Sequence, residues 1–135
     1  MTLMTWNDSF SVQNIEMDQQ HKQLFELLNN LHAAMSQGKG RETLSDVFDG
    51  LVKYTHLHFA AEEALLKKHN YPGLSEEERE HKELVAQVSD LQKQFQAGDF
   101  GASMKTRDFL KHWLIEHIQG SDRKYGVFLS QKGIH

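Results

Sequence analysis

The chain has 135 residues, 39% of them hydrophobic and 25% charged, which is enough apolar material for one buried core in a single domain. A net charge of −4 without any basic stripe argues against nucleic acid as a partner, and the absence of cysteine excludes disulfides, iron–sulfur clusters and thiolate zinc sites. No apolar run reaches the length of a membrane span, and the start MTLMTWNDSF lacks the pattern of a signal peptide, so cytoplasmic residence is expected.

Residues 1–17 carry Trp6, Phe10, Val12, Ile15 and Met17 in no regular period, which predicts an ordered arm packed across the rest of the chain. A first helix is predicted from about Asp18 to about Gln37, with Leu24, Leu28, Leu31 and Met35 at helical spacing and Gly38 and Gly40 ending it. A second runs from Arg41 to Lys68, its apolar face leading through Leu44, Val47, Phe48, Leu51, Tyr54 and Thr55 to His58, Glu62, Leu65 and Leu66. The turn Asn70-Tyr71-Pro72-Gly73 holds the only proline, and Ser75 with Glu78 three residues on has the form of a capping box. The third helix then extends to about Ala97 on a stripe of His81, Leu84, Val85, Val88, Leu91 and Phe95. A fourth starts near Ala102 with Phe109, Leu110, Trp113, Leu114, His117 and Ile118 on its apolar face, and Gly120 is expected to end or loosen it before Asp122, Tyr125 and Phe128. No segment has a period of two. The expected fold is all-α, an antiparallel up-down-up-down four-helix bundle over 18–119, with the arm before it and a C-terminal segment 120–135 after it.

In that topology the start of helix one, the end of helix two, the start of helix three and the end of helix four share one end of the bundle. His21, the pair His58/Glu62, the pair Glu77/His81, and His117 with Asp122 fall at those four places. Residues four apart lie on one helical face, so each pair can aim at one point. The pairs and His117 also lie on the apolar stripes, where an unpaired ionised group costs several kcal/mol. A single buried histidine is more often a hydrogen-bonded core residue than a ligand, but that reading leaves the common level of four pieces unexplained. A shared cation accounts for the whole set. His56 lies about 200° around the helix from His58 and should face outward. His32, His69, His112 and His135 are likewise read as surface residues.

Four imidazoles with three carboxylates suit iron, manganese or zinc, and are too nitrogen-rich for calcium or magnesium. Seven protein ligands exceed what one such ion accepts, so two ions sharing bridging carboxylates are expected, with redox-active iron preferred. Glu78, three residues before His81, is an alternative to Glu77.

Asp18-Gln19-Gln20-His21-Lys22, His58-Phe59-Ala60-Ala61-Glu62-Glu63, Tyr71-Pro72 followed by His81, and His112-Trp113-Leu114-Ile115-Glu116-His117-Ile118 with Asp122 together resemble hemerythrin. The short single-domain form and the arm with Trp6 are similar to the bacterial members, the bacteriohemerythrins. The resemblance implies a non-haem di-iron site with a bridging oxo or hydroxo group that binds dioxygen reversibly, for storage, delivery or sensing, rather than an enzyme. It implies that Glu62 and Asp122 bridge the irons, that His21 and His58 hold the iron with an open position, and that His81 and His117 hold the saturated one. Dioxygen would rest as a hydroperoxide on the open iron, in an apolar pocket lined by Phe25, Phe59, Trp113, Leu114 and Ile118. The family has a histidine four residues before His81 where this chain has Glu77, which favours Glu77 over Glu78 and raises an alternative function, a di-iron oxidase or peroxidase or a nitric oxide-binding protein. A monomer is expected, with a protein partner for oxygen delivery or signalling as a further possibility.

Overall fold

The computed structural model describes residues 2–135; Met1, the first residue of the expected arm, lies outside the described residues. Helices α1 (Ile15–Ser36), α2 (Arg41–Lys68), α3 (Leu74–Gln96) and α4 (Gly101–His117) form an antiparallel four-helix bundle. α1 packs on α2 and α4, and α3 packs on α2 and α4, so the four close into a ring. Their apolar stripes meet inside: Leu24, Leu28, Leu31, Phe48, Leu51, Leu66, Leu84, Val88, Leu91, Phe95, Leu110 and Leu114 are all buried. No helix among the described residues is long and apolar enough to cross a membrane.

The helix starts differ from expectation for local reasons. α1 begins three residues before Asp18, because the Asn14 side chain accepts a hydrogen bond from the Met17 amide and supplies the cap. Asp18 instead ties the arm down, one oxygen accepting from the Val12 amide (2.8 Å) and the other from the Ser11 hydroxyl (2.6 Å). Ser75 is not a cap: α3 starts at Leu74 with Gly73 in the capping position, and Ser75 is already inside the first turn. Gly73 is fitted to that place, since a Cβ there would meet the Tyr71 ring at 2.6 Å.

At the C-terminal end Gly120 loosens the helix, one of the two outcomes expected of it, rather than ending it. A π-helical turn over Ile118–Asp122 carries the backbone on into α5 (Arg123–Gln131). In an α-helix two residues five apart point about 140° away from each other. The wider π turn adds room for one residue, which is how His117 and Asp122 come to face the same space; such turns recur at functional sites.

The arm runs back over this end of the bundle. Met4 exchanges two hydrogen bonds with the Asn29 side chain, and Phe10 meets Phe25 edge-on at 4.9 Å beneath Trp6. Val12 crosses α5 at Gly126, so closely that a Cβ on Gly126 would run into the Val12 carbonyl. Gly126→Ala is therefore expected to destabilise the fold by about 1–3 kcal/mol, as overpacking against backbone does. Urea unfolding checks this, and an unchanged midpoint would mean that the arm can lift away at no cost.

Candidate metal centre

The six side chains His21, Glu62, Glu77, His81, His117 and Asp122 own every buried side-chain nitrogen or oxygen that lacks a hydrogen-bond partner among the described residues, nine atoms in all. Buried polar atoms are normally paired, and leaving one unpaired costs about 1–3 kcal/mol. Orphans gathered at one point, with no apolar explanation, are what a cation-binding cavity consists of. These six residues and His58 are each no more than 4% exposed.

Their geometry divides into two sets. Glu62, Glu77, His81, His117 and Asp122 bring one donor atom each within 4.8 Å of one another, and His21, His58 and Glu62 do the same. The two carboxylates common to both sides are oriented alike. Glu62 turns Oε2 toward His21 (3.0 Å) and His58 (3.3 Å) and Oε1 toward His81 (3.1 Å). Asp122 turns Oδ2 toward His21 (3.2 Å) and Oδ1 toward His117 (3.0 Å). Glu77 belongs to one side only, its Oε2 being 3.2 Å from both the His81 and the His117 Nε2. The His21/His58 side thus has four protein donors, and the Glu77/His81/His117 side has five. Of the two candidate carboxylates at the start of α3, Glu77 enters the cluster; Glu78 is half-buried outside it.

Three further contacts depend on pairings between elements and escaped the sequence reading. His58 Nδ1 donates to the Gln20 amide oxygen at 2.7 Å, and His81 Nδ1 donates to Glu63 at 2.7 Å. The Tyr125 hydroxyl, fully buried, donates to Glu62 Oε2 at 2.6 Å. The available signals were adjacency and phase: Gln20 precedes His21, Glu63 follows Glu62, and Tyr125 stands three residues past Asp122 on the same helical face. Such partners fix the tautomer of a ligating imidazole so that Nε2 faces the metal.

Of the expected apolar lining, two aromatics stack on histidines of the Glu77 side rather than beside His21 and His58. Phe59 lies flat on His81 (3.8 Å between centroids, 4° between planes), and Trp113 on His117 (4.1 Å, 18°). Phe25 belongs to the arm's aromatic cluster, while Leu114 and Ile118 are buried in the core. The remaining histidines stay outside both donor sets. His56, His112 and His135 are exposed, whereas His32 and His69 are half-buried rather than on the open surface, His32 standing 3.4 Å from an Arg107 guanidinium nitrogen.

Electrostatics in the protein alone follow from this packing. Burial pulls the His21 imidazole down, but Asp122 and Glu62 outweigh it and push it to about 9. Burial also opposes the charge on His81, which Glu62 and Glu77 raise to about 10, and on His117, which Asp122 and Glu77 raise to about 11. Burial would lift Glu62, yet the surrounding histidines, His58 foremost, hold it well below the usual carboxylate range; burial does raise Glu77. Without a metal the neighbouring carboxylates favour the doubly protonated, cationic form of all three imidazoles, and a metal must displace the extra proton. Metal uptake at pH 7 is expected to release about three protons, and affinity should climb as pH rises through about 9 to 11. Calorimetry in buffers of different ionisation enthalpy measures the release; none at all would mean that these histidines are not ligands. For the metal-free protein the sign is opposite. Imidazoles raised above 6.5 contribute stability that is fully present below that pH and is lost as pH rises through about 9 to 11.

The chain can be compared with known proteins on this basis. The family model for the hemerythrin HHE cation binding domain matches residues 14–129. The bacteriohemerythrin of Methylococcus capsulatus is 36% identical over 96% of this chain and 99% of its own length, and that of Stenotrophomonas maltophilia is 36% identical over 93% and 80%. A crystal structure of wild-type hemerythrin superposes with a TM-score of 0.86 at 35% identity over 92% of this chain and 95% of that one, and one of its L114A mutant with 0.87 over 93% and 96%.

Proposed function

The chain belongs to the hemerythrin family, and from that premise we propose that it holds two irons between His21, His58, Glu62, Glu77, His81, His117 and Asp122 and binds dioxygen reversibly. The observation that carries this reading is the shared orientation of Glu62 and Asp122, each with one oxygen toward each set of histidines. A carboxylate so placed can bridge two cations, and a donor set of imidazole and carboxylate suits iron. An oxo or hydroxo group would complete such a bridge. An iron pair held by these residues would supply redox chemistry, lending electrons to dioxygen on binding and recovering them on release.

The protein's own part is to make that exchange reversible. The His21/His58 side, one donor poorer, is where an outside ligand has a place, while Glu77 fills the corresponding position on the other side. Tyr125 pins the Glu62 carboxylate through its hydroxyl, so the bridge keeps its orientation. Phe59 and Trp113, stacked on His81 and His117, would with the buried Phe25, Leu114 and Ile118 keep out the water and protons that drive irreversible oxidation. Oxygen storage, delivery or sensing are the roles such a centre can serve.

A second reading, an oxidase or peroxidase, draws on one observation, the carboxylate of Glu77 where the family has histidine. One experiment separates the two. The reduced protein, exposed to oxygen and then purged, returns to its colourless state over repeated cycles if it is a carrier. Permanent oxidation in the first cycle would overturn the oxygen-carrying reading.

A further inference from the structure

The four imidazoles that turn Nε2 inward differ in what stands behind them. His58 is backed by the neutral amide of Gln20, and His81 by the Glu63 carboxylate. His21 Nδ1 has no partner, and the Glu80 carboxylate lies 3.7 Å from His117 Nδ1, beyond hydrogen-bond reach. Glu63 follows Glu62 on α2 and reaches across to α3, and His81 is its one salt-bridge partner among the described residues. Its side chain is 32% exposed, in a groove of about 400 Å³ between α2 and α3 that Phe59, Ala60 and Val85 also line. A full negative charge on the outer N–H of an imidazole raises the donor strength of its inner nitrogen, and an amide does so far less. The anionic backing therefore falls on the same half of the centre as the extra carboxylate, Glu77.

We propose that Glu63 is a positioning residue that makes the Glu77/His81/His117 half of the metal pair the more electron-rich, and so the more readily oxidised, of the two halves. This rests on the di-iron reading above. The two metals are then inequivalent for two reasons that can be separated by mutation, ligand number and charge behind the ligand.

Glu63→Gln keeps the size and a hydrogen-bond acceptor and removes the charge; at a third exposed, the position places little demand on folding. The full chain loaded with iron is titrated spectroelectrochemically, and the metal-free chain is titrated with zinc, which has no redox chemistry. Two irons should be retained. At fixed ambient potential the ferric-to-ferrous ratio should fall about tenfold, an upward shift of ~59 mV for a one-electron couple. Zinc affinity should fall about tenfold. Glu63→Asp should recover part of both, and Gln20→Glu should move the potential in the opposite direction. Glu83→Gln makes the same charge change on the exposed face of α3 and should move neither quantity. Glu63→Gln matching the parent in both measurements, or Glu83→Gln shifting them as much, would overturn the proposal. A parent chain that takes up no metal pair removes the di-iron reading, and this inference with it.

Discussion

Glu62→Ala is expected to reduce metal content from two ions per chain to near zero, a larger loss than removal of any single histidine should cause. Of the two carboxylates that face both sides, Glu62 contacts three of the four histidines and Asp122 two. Without it the His21/His58 side keeps a single carboxylate oxygen, from Asp122, and the buried Tyr125 hydroxyl loses its acceptor. Stability follows the metal by mass action. A ligand present at 1,000 times its dissociation constant adds about 4 kcal/mol, and losing that lowers the melting temperature of a domain this size by on the order of 10 °C. His56→Ala, at an exposed position two residues before His58, should leave both quantities unchanged. Elemental analysis and thermal melts of the purified variants check the pair. A Glu62→Ala protein that still holds two metals would place the bridge elsewhere.

Glu77→His is expected to raise the reduction potential and slow autoxidation by on the order of tenfold, equivalent to ~1.4 kcal/mol on a barrier, with two irons retained. Glu77 is 1% exposed, neither of its oxygens is hydrogen-bonded, and one of them stands 3.2 Å from two imidazole nitrogens. An anionic oxygen beside a cation favours the higher charge state, so replacing it with a neutral nitrogen favours ferrous iron. The His21/His58 side is untouched, and oxygen binding should survive. Unchanged potential and lifetime, together with disruption of the centre by Glu78→Ala, would make Glu77 no more than a buried acid at a helix start.

The parts of the centre legible in the sequence are those set by a regular helix. His58 with Glu62 and Glu77 with His81 are four apart, and their faces follow from 3.6 residues per turn once the apolar stripes are drawn. Short connections then dictate the antiparallel ring that brings the four ends together. Asp122 is different. Five residues past His117, it points away in any α-helix, and only the π turn over Ile118–Asp122 turns it inward; periodicity alone gives no sign of that turn. The partners Gln20, Glu63 and Tyr125 were hidden for another reason. Each contact spans two elements, so it depends on how the helices pack rather than on the phase of one helix. Ser75 and Glu78 fit a capping pattern, yet Gly73 holds the capping position of α3, with the Tyr71 ring packed against it.

We propose that seven residues at one end of the bundle hold a pair of irons with unequal protein donor sets. Anomalous diffraction at the iron edge from crystals of the iron-loaded chain tests it most directly. Two peaks are expected inside the bundle, both contacted by Glu62 and Asp122, one also by His21 and His58 and the other also by Glu77, His81 and His117. A single peak, or two peaks with Glu77 turned away from both, would contradict the proposal.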